Sequence, residues 1–142
     1  MREIVFDTET TGLDPAAGHR VVEIGCVELL NHMPTGETRQ WYLNPQRDMP
    51  EEAFRVHGLS ESFLGDKPLF AAVVDEFLDF VGGAILIAHN ASFDMRFMNA
   101  ELAALDRPNL PQERVLDTIA LARRKIPGAQ YSLDALCRRF DI

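Results

Sequence analysis

The change of rhythm near residue 50 most constrains how this chain can fold. Before it, three β-rich segments follow one another with short breaks: residues 3–7, 20–30 ("RVVEIGCVELL") and 38–43 ("TRQWYL"). "NHMPTGE", with Pro34 and Gly36, reads as the turn between the second and third, so those two are expected to pair antiparallel. After it, helices alternate with strands. "PEEAF" reads as a short helix with Pro50 at its first position. Phe70, Val73, Val74, Phe77, Leu78 and Val81 recur at helical spacing within residues 68–81, and glycines at 82 and 83 stop that helix. "AILIA" (84–88) reads as a buried strand. Ser92 is the expected N-cap of a helix running to about Leu105. "RVL" (114–116) is a further strand. Asp117 caps a helix ending near "IPG", and Ser132 caps "LDALCRRF". A meander followed by helix–strand units implies the α/β class, with a mixed sheet covered by helices.

The 142 residues favour a single domain, long enough to bury a core without staples. Cys26 and Cys137 stand far apart in no metal or redox spacing, so a reducing, cytoplasmic setting is expected. No apolar run reaches membrane-spanning length, and "MREIVF" runs into a strand pattern rather than a signal peptide. Fourteen basic and twenty-two acidic residues give a net charge of −8. That argues against a protein held to nucleic acid by a broad basic surface. It leaves room for an enzyme with a short, local contact that gathers divalent cations on carboxylates.

"DTETTG" (7–12) supplies such carboxylates. Residues i and i+2 of a strand share a face, so Asp7 and Glu9 project side by side if the strand reaches that far. Like charges so close raise one another's pKa, and a hard divalent cation such as Mg²⁺ or Mn²⁺ relieves the repulsion. Taken alone, the pair reads more readily as two exposed loop acids, since a three-residue pattern is weak evidence. Asp94 adds weight. Phe97, Met98, Leu102 and Leu105 lie 3, 4, 8 and 11 residues beyond it, so it begins the stripe of its helix that should face the core. A buried carboxylate is costly unless protonated, paired or bound to metal; the plainer alternative is an acid favoured by the helix dipole. Three carboxylates brought together could hold two cations on a phosphodiester, activating a water and stabilising the leaving oxygen. The residues themselves reach metal-dependent phosphoryl transfer or hydrolysis, and stop there.

"VFDTETTGLDP", "VVEIGCVEL", "FRVHGLS", "LIAHNASFDMRFMNAEL", "VLDTIALAR" and "PGAQYSLDALCRRF" closely resemble the proofreading 3′–5′ exonuclease (epsilon) subunits of bacterial DNA polymerase III, in the superfamily named for its four acidic residues. The resemblance covers essentially the whole chain. It implies an RNase H-like fold with a mixed five-stranded sheet and flanking helices. It implies Asp7 and Glu9 as metal ligands, with Asp94 completing the shell around two Mg²⁺ or Mn²⁺ ions. It places Thr10, Gly12 and Leu13 against the terminal nucleotide of a DNA 3′ end, with Gly12 permitting close approach. Glu52 and His57 would contact the terminal nucleoside, and Phe93 would line the same pocket. By themselves, His57 could be a surface histidine at a helix end and Phe93 ordinary core. Asp117 and Asp134 read as helix-start residues, not ligands.

The family's third motif, a general-base histidine followed five residues later by an aspartate, has no match. His89 and Asp94 have that spacing but belong to the second motif, and His89 is expected to orient backbone or Asn90 at a strand end. The resemblance therefore implies one exonuclease domain over 1–142, incomplete at its C-terminus, lacking its last helix and weak or inactive as a catalyst. Polymerase III α and θ-like subunits are the implied partners, with no membrane. The alternatives are a related exonuclease acting on RNA or in repair, and a catalytically dead module that still binds nucleotide or partners.

Overall fold

Alternation along the first strand sets the two faces of the sheet. In β1 (Arg2–Thr10), Ile4, Phe6, Thr8 and Thr10 are buried, while Val5, Asp7 and Glu9 point the other way and are less covered. The computed structural model describes all of residues 1–142. β1 pairs antiparallel with β2 (Val21–Leu30), which pairs antiparallel with β3 (Met33–Tyr42). On its other side β1 runs parallel to β4 (Ile85–Ala88), and β4 to β5 (Val115–Asp117), giving the order β3-β2-β1-β4-β5. This is the expected mixed five-stranded sheet. Register aligns Phe6 with Cys26, Ile24 with Trp41 and Ile4 with Leu86, so one face is continuously apolar. It is covered by α3 (Phe70–Val81) and α4 (Ala91–Ala104), whose Phe77, Phe97, Met98 and Leu102 are fully enclosed. Trp41 meets Phe77 edge-on at 5.8 Å. The remaining helices are α1 (Glu51–His57), α2 (Glu61–Leu64), α5 (Thr118–Lys125) and α6 (Leu133–Phe140). No helix is long and apolar enough to cross a membrane.

Three local readings are corrected. The β2–β3 turn is Asn31–His32, both at positive φ, rather than the Pro34–Gly36 segment. Turns with two left-handed residues match strand twist in tight hairpins. Pro34 is tolerated inside β3 because β3 is an edge strand, and a register shift lies beside it between Val27 and Leu29. The buried Glu3 carboxylate fixes this turn, accepting the His32 backbone N–H at 2.8 Å and lying 2.8 Å from its Nδ1. Second, α4 begins one residue after Asn90, which takes the left-handed conformation, so Ser92 lies in the first turn and caps nothing. Its opening amides are capped from outside: Asp117 accepts from the N–H groups of Asn90 and Ala91, each at 3.1 Å, and from Ile119 of its own helix at 2.8 Å. Third, Pro50 precedes α1 as its N-cap, and α2, which has no periodicity to announce it, is additional.

Candidate active site

β1 and β4 stay paired only as far as Val5 and Ile87. β1 then continues to Thr10, while β4 turns through His89 and Asn90 into α4. The divergence leaves a cleft of about 810 Å³ beside the carboxyl ends of the parallel strands, the usual place for a ligand in an open α/β sheet. Asp7, Glu9 and Asp94 all line it.

Thr8 links the three. Its side chain lies on the opposite face from Asp7 and Glu9. Its N–H, released from the β4 ladder, donates to Asp94 Oδ1 at 3.1 Å, and its hydroxyl donates to the same oxygen at 2.5 Å. Asp94 is only 2% exposed and begins the buried stripe of α4. No basic side chain pairs with it. The cleft lining contains Asp7, Glu9, Asp14, Glu52 and Asp94 but no lysine or arginine. The carboxylates accordingly titrate high. Burial raises Asp7, against the Thr8 amide and the nearby His89. Burial, then the charges of Asp7, Glu23 and Asp94, push Glu9 up to about 7. Burial, reinforced by Asp7 and opposed by the Thr8 hydrogen bonds, pushes Asp94 up to about 6.

Three hard oxygen donors crowded into a cleft that no lysine or arginine lines fit divalent cations in chemistry. They are not drawn to coordination distance: no group of three His, Cys, Asp or Glu side chains stands close enough to hold a metal ion.

The other expected residues gather at the same cleft. His57 Nδ1 accepts the Leu59 N–H at 3.0 Å, which leaves Nε2 to donate to the Thr10 carbonyl at 3.0 Å. It therefore ties the end of α1 to the end of β1 rather than standing free at the surface. Thr10 Oγ1 donates to the Gly12 carbonyl at 2.5 Å. Leu13 is 79% exposed on the cleft wall, and Glu52 faces it from α1. Phe93 both lines the cleft and packs on the core, its ring 5.0 Å from that of Phe97. His89 has both nitrogens engaged, Nδ1 with the Thr118 hydroxyl and Nε2 with the Tyr131 carbonyl, each at 2.8 Å, so it orients the α5 region rather than Asn90.

Gly12 has a structural reason the sequence hid. A Cβ there would come within 2.5 Å of the His19 ring, so close approach is required by an imidazole of the same chain. His19 is itself held through Nδ1 by the Thr11 hydroxyl at 2.9 Å. Three contributors escaped sequence reading: Thr8, His19, and Asp117 as cap of two helices. Thr8 left a trace as the polar residue between two acids on a buried strand, and Asp117 left one as the expected cap of α5 alone.

A family model described as "Exonuclease" matches residues 4–142. The chain is 52% identical over 145 residues to DNA polymerase III subunit epsilon of Rickettsia conorii, covering 100% of this chain and 63% of that relative. It is 47% identical to the Escherichia coli K12 protein of the same name, covering 99% of this chain and 61% of that one. The chain thus spans a little under two thirds of these relatives. Among solved structures, exonuclease X in complex with 5′ overhanging duplex DNA superposes with a TM-score of 0.78 at 30% identity, covering 99% of this chain and 74% of that one. The nuclease domain of 3′hExo, a DEDDh family member bound to rAMP, superposes at 0.84 with 17% identity, covering 99% and 79%, a likeness of fold.

Proposed function

The chain belongs to the exonuclease family, and from that premise we propose that residues 1–142 form one exonuclease domain that removes nucleotides from DNA 3′ ends in replicative proofreading. The observation that carries this is the cleft, lined by no lysine or arginine, in which burial raises Asp7 and burial together with neighbouring carboxylate charge raises Glu9 and Asp94. Those three carboxylates would hold two Mg²⁺ or Mn²⁺ ions. Bound there, the ions would polarise the scissile phosphodiester and lower the pKa of an attacking water. Thr8 holds Asp94 in place by two hydrogen bonds to one oxygen, leaving the other for a ligand. His57 fixes the Thr10 carbonyl, and with it the backbone against which a terminal nucleotide would lie. Leu13 and Phe93 offer apolar surface to a base without reading its edge. No side chain here is assigned as general base, and the engagement of both His89 nitrogens supports leaving it out of that role. The cytoplasm is the proposed setting, with polymerase III α and θ-like subunits as partners.

The test is nucleotide release from a 5′-labelled primer with a mismatched 3′ end, in Mg²⁺ or Mn²⁺. It is run on a fusion in which the residues of an epsilon relative beyond the matched segment follow Ile142. Stepwise shortening that Asp7→Asn reduces by roughly 10³-fold or more is expected from loss of a metal ligand. Equal shortening with and without the substitution would refute the assignment.

A further inference from the structure

The chain carries its basic side chains unevenly. Residues 118–142 hold five basic and two acidic side chains, against nine and twenty in residues 1–117. Pairing sharpens the contrast. Of the fourteen Lys and Arg side chains, seven form ion pairs with acids. Arg114 donates instead to the carbonyls of Gly82 and Ala84. The six left without an acid are Arg96, Arg123, Arg124, Lys125, Arg138 and Arg139, all exposed. Five of the six lie in the last turns of α5 and α6. Helix dipoles favour cations there, but they do not account for missing partners, because Arg55 in the last turn of α1 still pairs with Glu51.

Contacts lead from this patch back to the cleft. His89, on the cleft wall, binds Thr118 at the start of α5 and the Tyr131 carbonyl before α6. The Arg123 guanidinium lies 5.5 Å from the Tyr131 ring centroid. Next to it, Arg138 and Arg139 rim a hollow of about 240 Å³ lined by Ala129, Gln130 and Ala135. Arg96 lies 6.0 Å from the ring centroid of Phe93, another cleft residue. The cleft itself has no lysine or arginine to offer the phosphates upstream of a terminal nucleotide.

We propose that Arg123, Arg124, Lys125, Arg138 and Arg139 form a phosphate-tracking surface that grips the single-stranded DNA backbone just upstream of the 3′-terminal nucleotide. The inference rests on the nucleolytic reading for where the 3′ end lies. Cations unpaired in the free protein give up no internal partner on binding, and their contacts with phosphate are sequence-independent and salt-sensitive.

The experiment compares the 142-residue chain with two variants, one carrying Arg→Gln and one Arg→Lys at positions 123, 124, 138 and 139. Circular dichroism first verifies their folds. Anisotropy of a fluorescein-labelled, twelve-nucleotide oligothymidylate in EDTA is followed across a salt series, and thymidine 5′-monophosphate with Mn²⁺ is titrated by calorimetry. The Gln variant should lose roughly 10- to 100-fold in oligonucleotide affinity at about 0.1 M salt, with the log–log salt slope shallower by about 1 to 3. The Lys variant should stay within about threefold of the parent, since charge rather than fork geometry is read. Mononucleotide binding should be unchanged in both. Oligonucleotide affinity and slope that are equal in parent and Gln variant would overturn the proposal. So would tighter binding of a polyglutamate peptide than of the oligonucleotide, which would assign the patch to an acidic protein. Absent mononucleotide binding, together with the expected oligonucleotide result, would sink the cleft reading and leave the patch standing.

Discussion

At the scale of single residues, the cleft is built on contacts among uncharged neighbours of the acids. Gly12 is the sharpest case. Ala at this position would press its Cβ into the face of the His19 ring, and overpacking of this kind costs about 1–3 kcal/mol. Gly12→Ala should lower the urea midpoint accordingly, and His19→Ala in the same chain should restore most of it. A cost that persists without the imidazole would place its origin elsewhere. Thr8→Val removes the hydroxyl that shares Asp94 Oδ1 with the Thr8 amide. Loss of a hydrogen bond to a buried carboxylate should cost about 1–3 kcal/mol by denaturant titration, with Thr8→Ser retaining most of the stability. The sequence made Asp7, Glu9 and Asp94 legible because strand alternation and helical spacing are local rules, and Asp94 does start a buried stripe. It did not make Gly12 legible, since its reason is a ring seven residues away, brought back only by the fold. The residues His57 would bridge were hidden likewise: Thr10 lies on another element.

At the scale of elements, Asp117 joins two helix starts. One carboxylate accepts three backbone N–H groups, two from the entry to α4 and one from α5. A single N-cap contributes about 1 kcal/mol; Asp117→Ala should therefore cost about 2–3 kcal/mol, and Asp117→Asn less. Hydrogen exchange at Ala91 and Ile119 should speed up together in Asp117→Ala, whereas protection lost only at Ile119 would mean that it caps α5 alone. The capping of α5 was readable from sequence, because Asp before an apolar helical run is a local signal. The capping of α4 was not, because the accepting carboxylate comes from the parallel strand β5, 26 residues further along the chain. The β2–β3 hairpin misled for a related reason. Pro34 and Gly36 carry the strongest turn chemistry in the segment, yet an edge strand accepts both, and the buried Glu3 selects Asn31–His32 as the turn from across the sheet.

At the scale of the whole molecule, the raised carboxylates of the cleft should make stability depend on pH. Glu9, at about 7, and Asp94, at about 6, bind protons more tightly in the folded chain than at their ordinary values of 4.5 and 3.8. Each therefore contributes stability that is full below its ordinary value and is lost as pH rises through the folded one. Without divalent cation, Glu9→Gln should raise Tm relative to the parent at pH 8 by a few degrees, roughly 2–4 °C, and leave it near the parent at pH 4. An equal difference at both pH values would show that Glu9 is not strained by its neighbours. The mixed sheet covered by helices follows from the rhythm of the chain, whereas the strand order, the cleft at the β1–β4 divergence and the distances among the acids come only from the fold. The central claim is that Asp7, Glu9 and Asp94 act as one cation site, and Mn²⁺ titration by calorimetry at pH 8 tests it most directly. Binding that rises from pH 5 to 8, and that Asp7→Asn and Asp94→Asn each weaken by about tenfold or more, is the predicted result. Mn²⁺ affinity unchanged by either substitution would contradict it.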